Sequence, residues 1–172
     1  MKPTAPPISH VTSSDQTSDA RRVGWREWVG LPALGLPLIK AKVDTGARTS
    51  ALHAANVERS GDRVVLQMHP LQRNTDLLVT CEAEIIDERV VRDSGGHEEP
   101  RLVIATDLVI AGKARRIEVT LTNRENMGFR MLLGRTAMRG LVVDPRASYL
   151  TQPPPEPAAL KAAYPAYRLD AS

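Results

Sequence analysis

Between residues 21 and 151, apolar residues return at every second position far more often than at the helical period, the mark of strands with one buried face. Ile39, Ala41 and Val43 alternate with Lys40 and Lys42, predicting a strand that delivers the chain into a turn at Asp44. Val64, Leu66 and Met68 make a second apolar face, the stretch from Leu77 to Ile85 a third, and Leu102, Ile104, Thr106 and Leu108 a fourth. Ala111-Gly112-Lys113-Ala114 reads as a reversal into Ile117, Val119 and Leu121, followed by Met131-Leu132-Leu133 and Leu141-Val142-Val143. A short helix is expected from about Thr136 to Arg139, ended by Gly140 as a left-handed cap. Asp93-Ser94-Gly95-Gly96-His97-Glu98-Glu99-Pro100 has the chemistry of a hairpin tip or long loop. Residues 1–20, rich in Ser, Thr, Pro and Asp, and residues 152–172, opening with Gln152-Pro153-Pro154-Pro155, read as flexible tails around one domain at 21–151.

Composition narrows the function classes. The 172 residues suffice for one domain with a hydrophobic core, and 42% apolar with 25% charged residues excludes wholesale disorder. A net charge of +3 is scattered rather than gathered into a basic run, and 3% aromatic residues leave little for stacking on bases, so no nucleic-acid partner is expected. An acidic peptide suits that charge equally well. No apolar run resembles a signal peptide or membrane span, and the single cysteine, Cys81, reads as a buried structural thiol in an alternating strand. These features predict a cytoplasmic protein without a membrane partner.

The chemistry gathers at Lys42-Val43-Asp44-Thr45-Gly46-Ala47. A strand fixes the carboxylate, the hydroxyl can bond nearby backbone, and the glycine lets the chain turn and a partner or substrate come close. Asp-Thr-Gly turns are common, so a second segment matters: Arg130-Met131-Leu132-Leu133-Gly134-Arg135, followed by Leu141-Val142-Val143-Asp144.

Together the two segments resemble the retropepsin-like aspartic peptidases, whose pattern is an apolar strand, Asp-Thr-Gly-Ala, a flap hairpin, then two apolar residues, Gly and often Arg before a helix. A closer resemblance is to a bacterial RimB-like family labelled ATP-dependent zinc protease and associated with ATP-grasp glutamate ligases. Trp28-Val29-Gly30-Leu31-Pro32, Ile39 to Ala54 and Leu132-Leu133-Gly134-Arg135 carry it, over about residues 23–150. The resemblance implies a mainly β fold: a small closed antiparallel barrel with one short helix, paired as a homodimer. It implies Asp44, Thr45 and Gly46 as the catalytic group, with Leu133 and Gly134 supporting the site. A homodimer is required because aspartic peptidases need two carboxylates sharing one proton, and each chain supplies one Asp44. An intrachain partner in Asp93-Ser94-Gly95 is set aside, since a single compact domain lacks the length for two aspartic lobes.

One departure stands out. Retroviral enzymes carry an acid where Arg48 stands, paired with the arginine corresponding to Arg135, so that pair cannot form here. Either another acid such as Asp144 compensates, or the guanidinium groups are free for substrate. We therefore expect Ala47, Arg48, Arg101 and Arg135 to bind substrate and to favour acidic peptides, with glutamate-rich peptides or tails suggested by the ligase association. The family label promises zinc and ATP. No His-Glu-x-x-His or phosphate-binding glycine loop occurs, and the histidines at 10, 53, 69 and 97 have no paired spacing, so no metal ligand and no cofactor are predicted. His53 is expected to be packed and hydrogen-bonded, and His97 to sit at a solvated loop tip. The alternatives are a silent retropepsin-fold module that binds acidic peptides, and a zinc-dependent peptidase. The 90 positions from Asp44 to Gly134 suggest an enlarged flap around residues 86–101.

Overall fold

A computed structural model describes residues 21–92, 95–123 and 128–168, and in it the chain is mainly β with one short α-helix. The expected N-terminal tail, 1–20, lies outside the described residues. The strands are β1 (Arg21–Gly24), β2 (Arg26–Leu31), β3 (Leu36–Val43), β4 (Ser50–His53), β5 (Asn56–Ser60), β6 (Arg63–Met68), β7 (Val79–Arg92), β8 (Glu98–Ile110), β9 (Lys113–Thr122), β10 (Met131–Leu133) and β11 (Leu141–Asp144); the helix is α1 (Pro157–Ala163).

The alternation ahead of Asp44 becomes β3, with Ile39, Ala41 and Val43 buried and Lys42 exposed. Nine strands form one sheet in the order β2-β3-β10-β4-β9-β8-β7-β6-β5, and Gly30 of β2 also faces Val109 of β8, so the sheet curls until its first strand meets its sixth. Inside the curl lie Leu36, Ile39, Leu52, Leu66, Met68, Ile104, Leu108, Met131 and Leu133, all essentially removed from water. Each contributes about 1.5–3 kcal/mol of transfer free energy. The antiparallel expectation holds only in part: β3–β10, β4–β9 and β1–β11 run parallel. Each of these pairs joins strands separated by a long excursion, which leaves the chain free to return in either direction.

Two elements differ from their reading in sequence, and a third has no signal there. β5 is exposed along its whole length and has no buried face for a period to report; it exists because β6 offers it an edge. The tip between β7 and β8 is shorter than the turn chemistry suggested, since Glu98, Glu99 and Pro100 pair with Arg92, Val91 and Val90. Residues Arg135–Met138 form a 3-10 turn where the short helix was expected, with Gly140 beyond it at φ +72° as anticipated.

The C-terminal segment departs furthest from the expected flexible tail. Pro157 opens α1, and Leu160, Ala163 and Tyr164 fall at helical spacing against Trp28, Leu71 and Leu77. The Tyr164 hydroxyl donates to the Leu38 carbonyl at 2.5 Å, and burial pushes its pKa up to about 12. Its proline run reads as a linker, yet three apolar residues after it suffice to dock the segment on β3. Cys81 is buried as expected, and burial pushes its thiol up to about 11, which leaves it unreactive near neutrality.

Candidate active site

The site is made by an insertion. β10 lies between β3 and β4, the two strands that flank the Asp44 loop, so a segment from late in the chain underlies a turn from its first third. The Asp44 amide donates to the Leu133 carbonyl at 2.9 Å. Beyond Leu133, the amides of Arg135 and Thr136 donate to the carbonyls of Ala47 and Arg48 at 2.9 and 3.1 Å, and the Gly134 amide donates to Ser50 Oγ at 3.1 Å. The loop is thereby held at both ends by one short segment.

Gly134 is required by that closeness. A Cβ there would stand 2.6 Å from the Thr49 carbonyl carbon and 2.7 Å from the Arg48 oxygen, both backbone atoms that cannot step aside. Gly134→Ala should therefore destabilise the fold by about 1–3 kcal/mol and shift the Asp44 loop. Urea midpoints together with peptide turnover would check this; an unchanged midpoint would mean that the loop gives way freely.

Asp44 is half-buried, and its Oδ1 accepts from the amides of Gly46 and Ala47 at 3.0 and 3.2 Å. Among the described residues, Oδ2 has no hydrogen-bond partner within the chain. Thr45 and Gly46 are exposed, and their carbonyls accept from Arg135 Nη1 at 3.0 and 2.9 Å.

An open cleft of about 1030 Å³ lies over this loop, bounded by Asp44, Ala47 and Arg48 on one side and by Arg89 to Arg92 of the β7–β8 hairpin on the other. Arg101, Glu118 and Leu132 complete its wall. Of the residues expected to bind substrate, Ala47, Arg48 and Arg101 line this cleft, whereas Arg135 does not: its guanidinium is spent on the Thr45 and Gly46 carbonyls. Arg101 is only 8% exposed and pairs with Glu99 at 2.9 Å. Arg48 is exposed and makes no ion pair among the described residues. Asp144 does not compensate for the missing acid; it pairs with Arg22 at 2.6 Å and with Arg146, whose bonds hold its carboxyl below the usual range. Leu133 is a core residue under the loop, and His53 is buried at the end of β4.

Arg89, Arg92 and Glu118 escaped the sequence reading. Arg89 donates from Nε to Asp87 and from Nη1 to Glu118, both at 2.6 Å, and Arg92 pairs with Glu98. Their signal was the polar positions of the Arg89-Val90-Val91-Arg92 run inside the expected enlarged flap, meaningless until the hairpin is folded over Asp44. His97 is exposed near the hairpin tip, and Asp93 and Ser94 lie outside the described residues. Among the described residues no three His, Cys, Asp or Glu side chains gather as metal donors, and no helix is long and apolar enough to cross a membrane.

A protein of unknown function from Legionella pneumophila has a similar structure, with TM-score 0.63 and 26% identity over 77% of this chain and 98% of that one. Proteins named probable alpha-L-glutamate ligase from Shewanella pealeana and Parasynechococcus marenigrum are 46% and 48% identical over 132 residues, 74% of this chain. The chain spans less than a third of the length of those relatives, 29% and 28%. The profile of the RimB-like family, described as retropepsin-like aspartic endopeptidase RimB, matches residues 22–154, from β1 past the end of β11. A match that takes in both the Asp44 loop and the segment bracing it makes this chain a member of the RimB-like, retropepsin-like aspartic endopeptidase family.

Proposed function

We propose that this chain is an aspartic endopeptidase whose active site is completed when two copies bring their Asp44 side chains together on a two-fold axis. The carrying observation is the asymmetry of that carboxylate. Oδ1 is anchored by two amides of its own loop, while Oδ2 has no intrachain partner among the described residues. We read the curl that joins β2 to β8 as the small closed barrel of one retropepsin half.

In the pair, one carboxylate is ionised and the other protonated, because two such groups held close cannot both ionise cheaply. The ionised one takes a proton from water as the water oxygen bonds to the scissile carbonyl carbon. The protonated one delivers its proton to the carbonyl oxygen, giving a tetrahedral diol. Transfer of a proton to the amide nitrogen then accompanies C–N cleavage, releasing a carboxylic acid and an amine. Thr45 and Gly46, tied by Arg135, brace the junction.

The cleft wall supports an acidic substrate: Arg48 lines it without an ion pair among the described residues, beside Arg89, Arg92 and Arg101, which already hold carboxylates of Asp87, Glu118, Glu98 and Glu99. Arginine forks suit carboxylates. The ligase-named relatives add a source of such chains, so we assign glutamate-rich peptides or tails as substrate and a glutamate ligase as functional partner, in the cytoplasm. A glutamate-rich peptide should be cleaved about tenfold more efficiently than its glutamine isostere, a preference of the size expected for one charge-assisted contact. Arg48→Ala should erase most of it, as read by kcat/KM on both peptides. Equal turnover of the two peptides by the native protein would remove the acidic-substrate assignment. The ligase relatives also favour a second reading, a silent module that grips acidic tails; there Asp44→Asn would leave peptide binding and every measurable activity as they were.

A further inference from the structure

We propose that Glu118 is a resident stand-in for a substrate carboxylate: it occupies the carboxylate position on Arg89 until an incoming carboxylate exchanges with it. This rests on the acidic-substrate reading above and adds how that substrate is admitted. Glu118 projects into the cleft from β9, the strand beside β8 of the hairpin, and its Oε2 reaches past β8 to accept from Arg89 Nη1 at 2.6 Å. Arg48, on the Asp44 loop, acts on the same carboxylate at longer range. The position of that carboxylate is therefore flanked by cations from two different elements, the hairpin and the catalytic loop, which is how an anion site in a cleft is built.

The occupant is poorly suited to being permanent. Arg89 already donates from Nε to Asp87, so two carboxylates share one guanidinium, and Asp87 pushes against Glu118 across it. Arg89's hydrogen bond holds the Glu118 carboxyl below its ordinary range, so it is charged at neutral pH. A third carboxylate brought to Arg89 would crowd further, whereas one that replaces Glu118 keeps the count at two. Glu118 is 47% exposed and Arg89 37%, so the leaving side chain rehydrates without unfolding anything. A neutral peptide cannot take that place on Arg89 and gains nothing when Glu118 leaves it.

The test uses the full chain carrying Asp44→Asn, so that bound peptide is not consumed. Binding of a fluorescein-labelled glutamate-rich peptide and of its glutamine isostere is read by anisotropy. An Arg89 position filled by Glu118 in about 70–90% of molecules weakens the apparent affinity for a competing carboxylate about three- to tenfold. Adding Glu118→Gln should therefore tighten the glutamate peptide by about that factor and leave the isostere unchanged. Arg89→Gln should abolish the glutamate preference, and Glu118→Gln on top of it should then do nothing. If the glutamate preference is present but Glu118→Gln leaves it unaltered or weakens binding, the exchange mechanism is wrong and the substrate assignment stands. If neither protein prefers the glutamate peptide, both are wrong.

Discussion

Asp44→Asn should abolish peptide cleavage, lowering kcat by at least about 10³-fold, because removal of a positioned proton donor and acceptor costs about 10²–10⁴-fold even where other catalytic groups remain. The substitution is nearly isosteric. The asparagine oxygen can still accept from Gly46 and Ala47 where Asp44 Oδ1 does now, so the loop should survive and the loss should be chemical rather than structural. Mixing the variant with native protein gives a sharper result. If each site needs one Asp44 from each of two chains, activity follows the square of the native fraction, and an equimolar, fully exchanged mixture retains about a quarter of it. A site contained in one chain would retain about half under the same conditions. Linear dilution across the mixing series would therefore defeat the two-chain proposal even if Asp44→Asn were inactive, provided that capture of the variant on an affinity tag carried only by the native chain shows that exchange had occurred.

Glu27→Ala should be among the most destabilising single changes in the molecule, by about 3–5 kcal/mol, since each buried donor left unpaired costs about 1–3 kcal/mol. Glu27 is fully buried in β2, and its two oxygens accept four hydrogen bonds: from the amides of Gly24, Leu150 and Thr151 and from Thr151 Oγ1, at 2.6–3.2 Å. It thus ties the chain just after β1 to the chain beyond β11, the two strands that pair alone in a separate ribbon. Alanine strands three backbone donors away from water. Glu27→Gln should cost less, about 1–3 kcal/mol, since one oxygen survives and only the amide nitrogen is forced against donors. Equilibrium urea unfolding of the three proteins should rank them native, Gln, Ala. A Glu27→Ala protein as stable as the native one would show that water replaces the carboxylate at no cost.

Glu27 also illustrates how reading by pattern fails. It stands in Arg26-Glu27-Trp28, beside apolar residues, and nothing local distinguishes it from a solvated acid. Its four donors come from both ends of the domain and exist as a set only after β1 and β11 have paired. Arg135 fails in the same way. Its place after Leu133-Gly134 was legible, but not whether the guanidinium would face the cleft or turn to the carbonyls of Thr45 and Gly46. Glu118 and Arg89, 29 residues apart, meet across β8 for reasons that no window along the chain contains.

By itself the sequence determined what depends on neighbours along the chain. The period-two alternation of Ile39, Ala41 and Val43 makes a strand with one wet face, Asp44-Thr45-Gly46 must turn at its end, and Cys81 falls on a buried face. These are local consequences of side-chain geometry and burial. Tertiary structure alone decided that β10 enters between β3 and β4, that Pro157–Ala163 docks instead of trailing, and which arginines ring Asp44. Those outcomes depend on contacts between distant segments, whose free energy appears only when both partners are in place, so no local period can announce them.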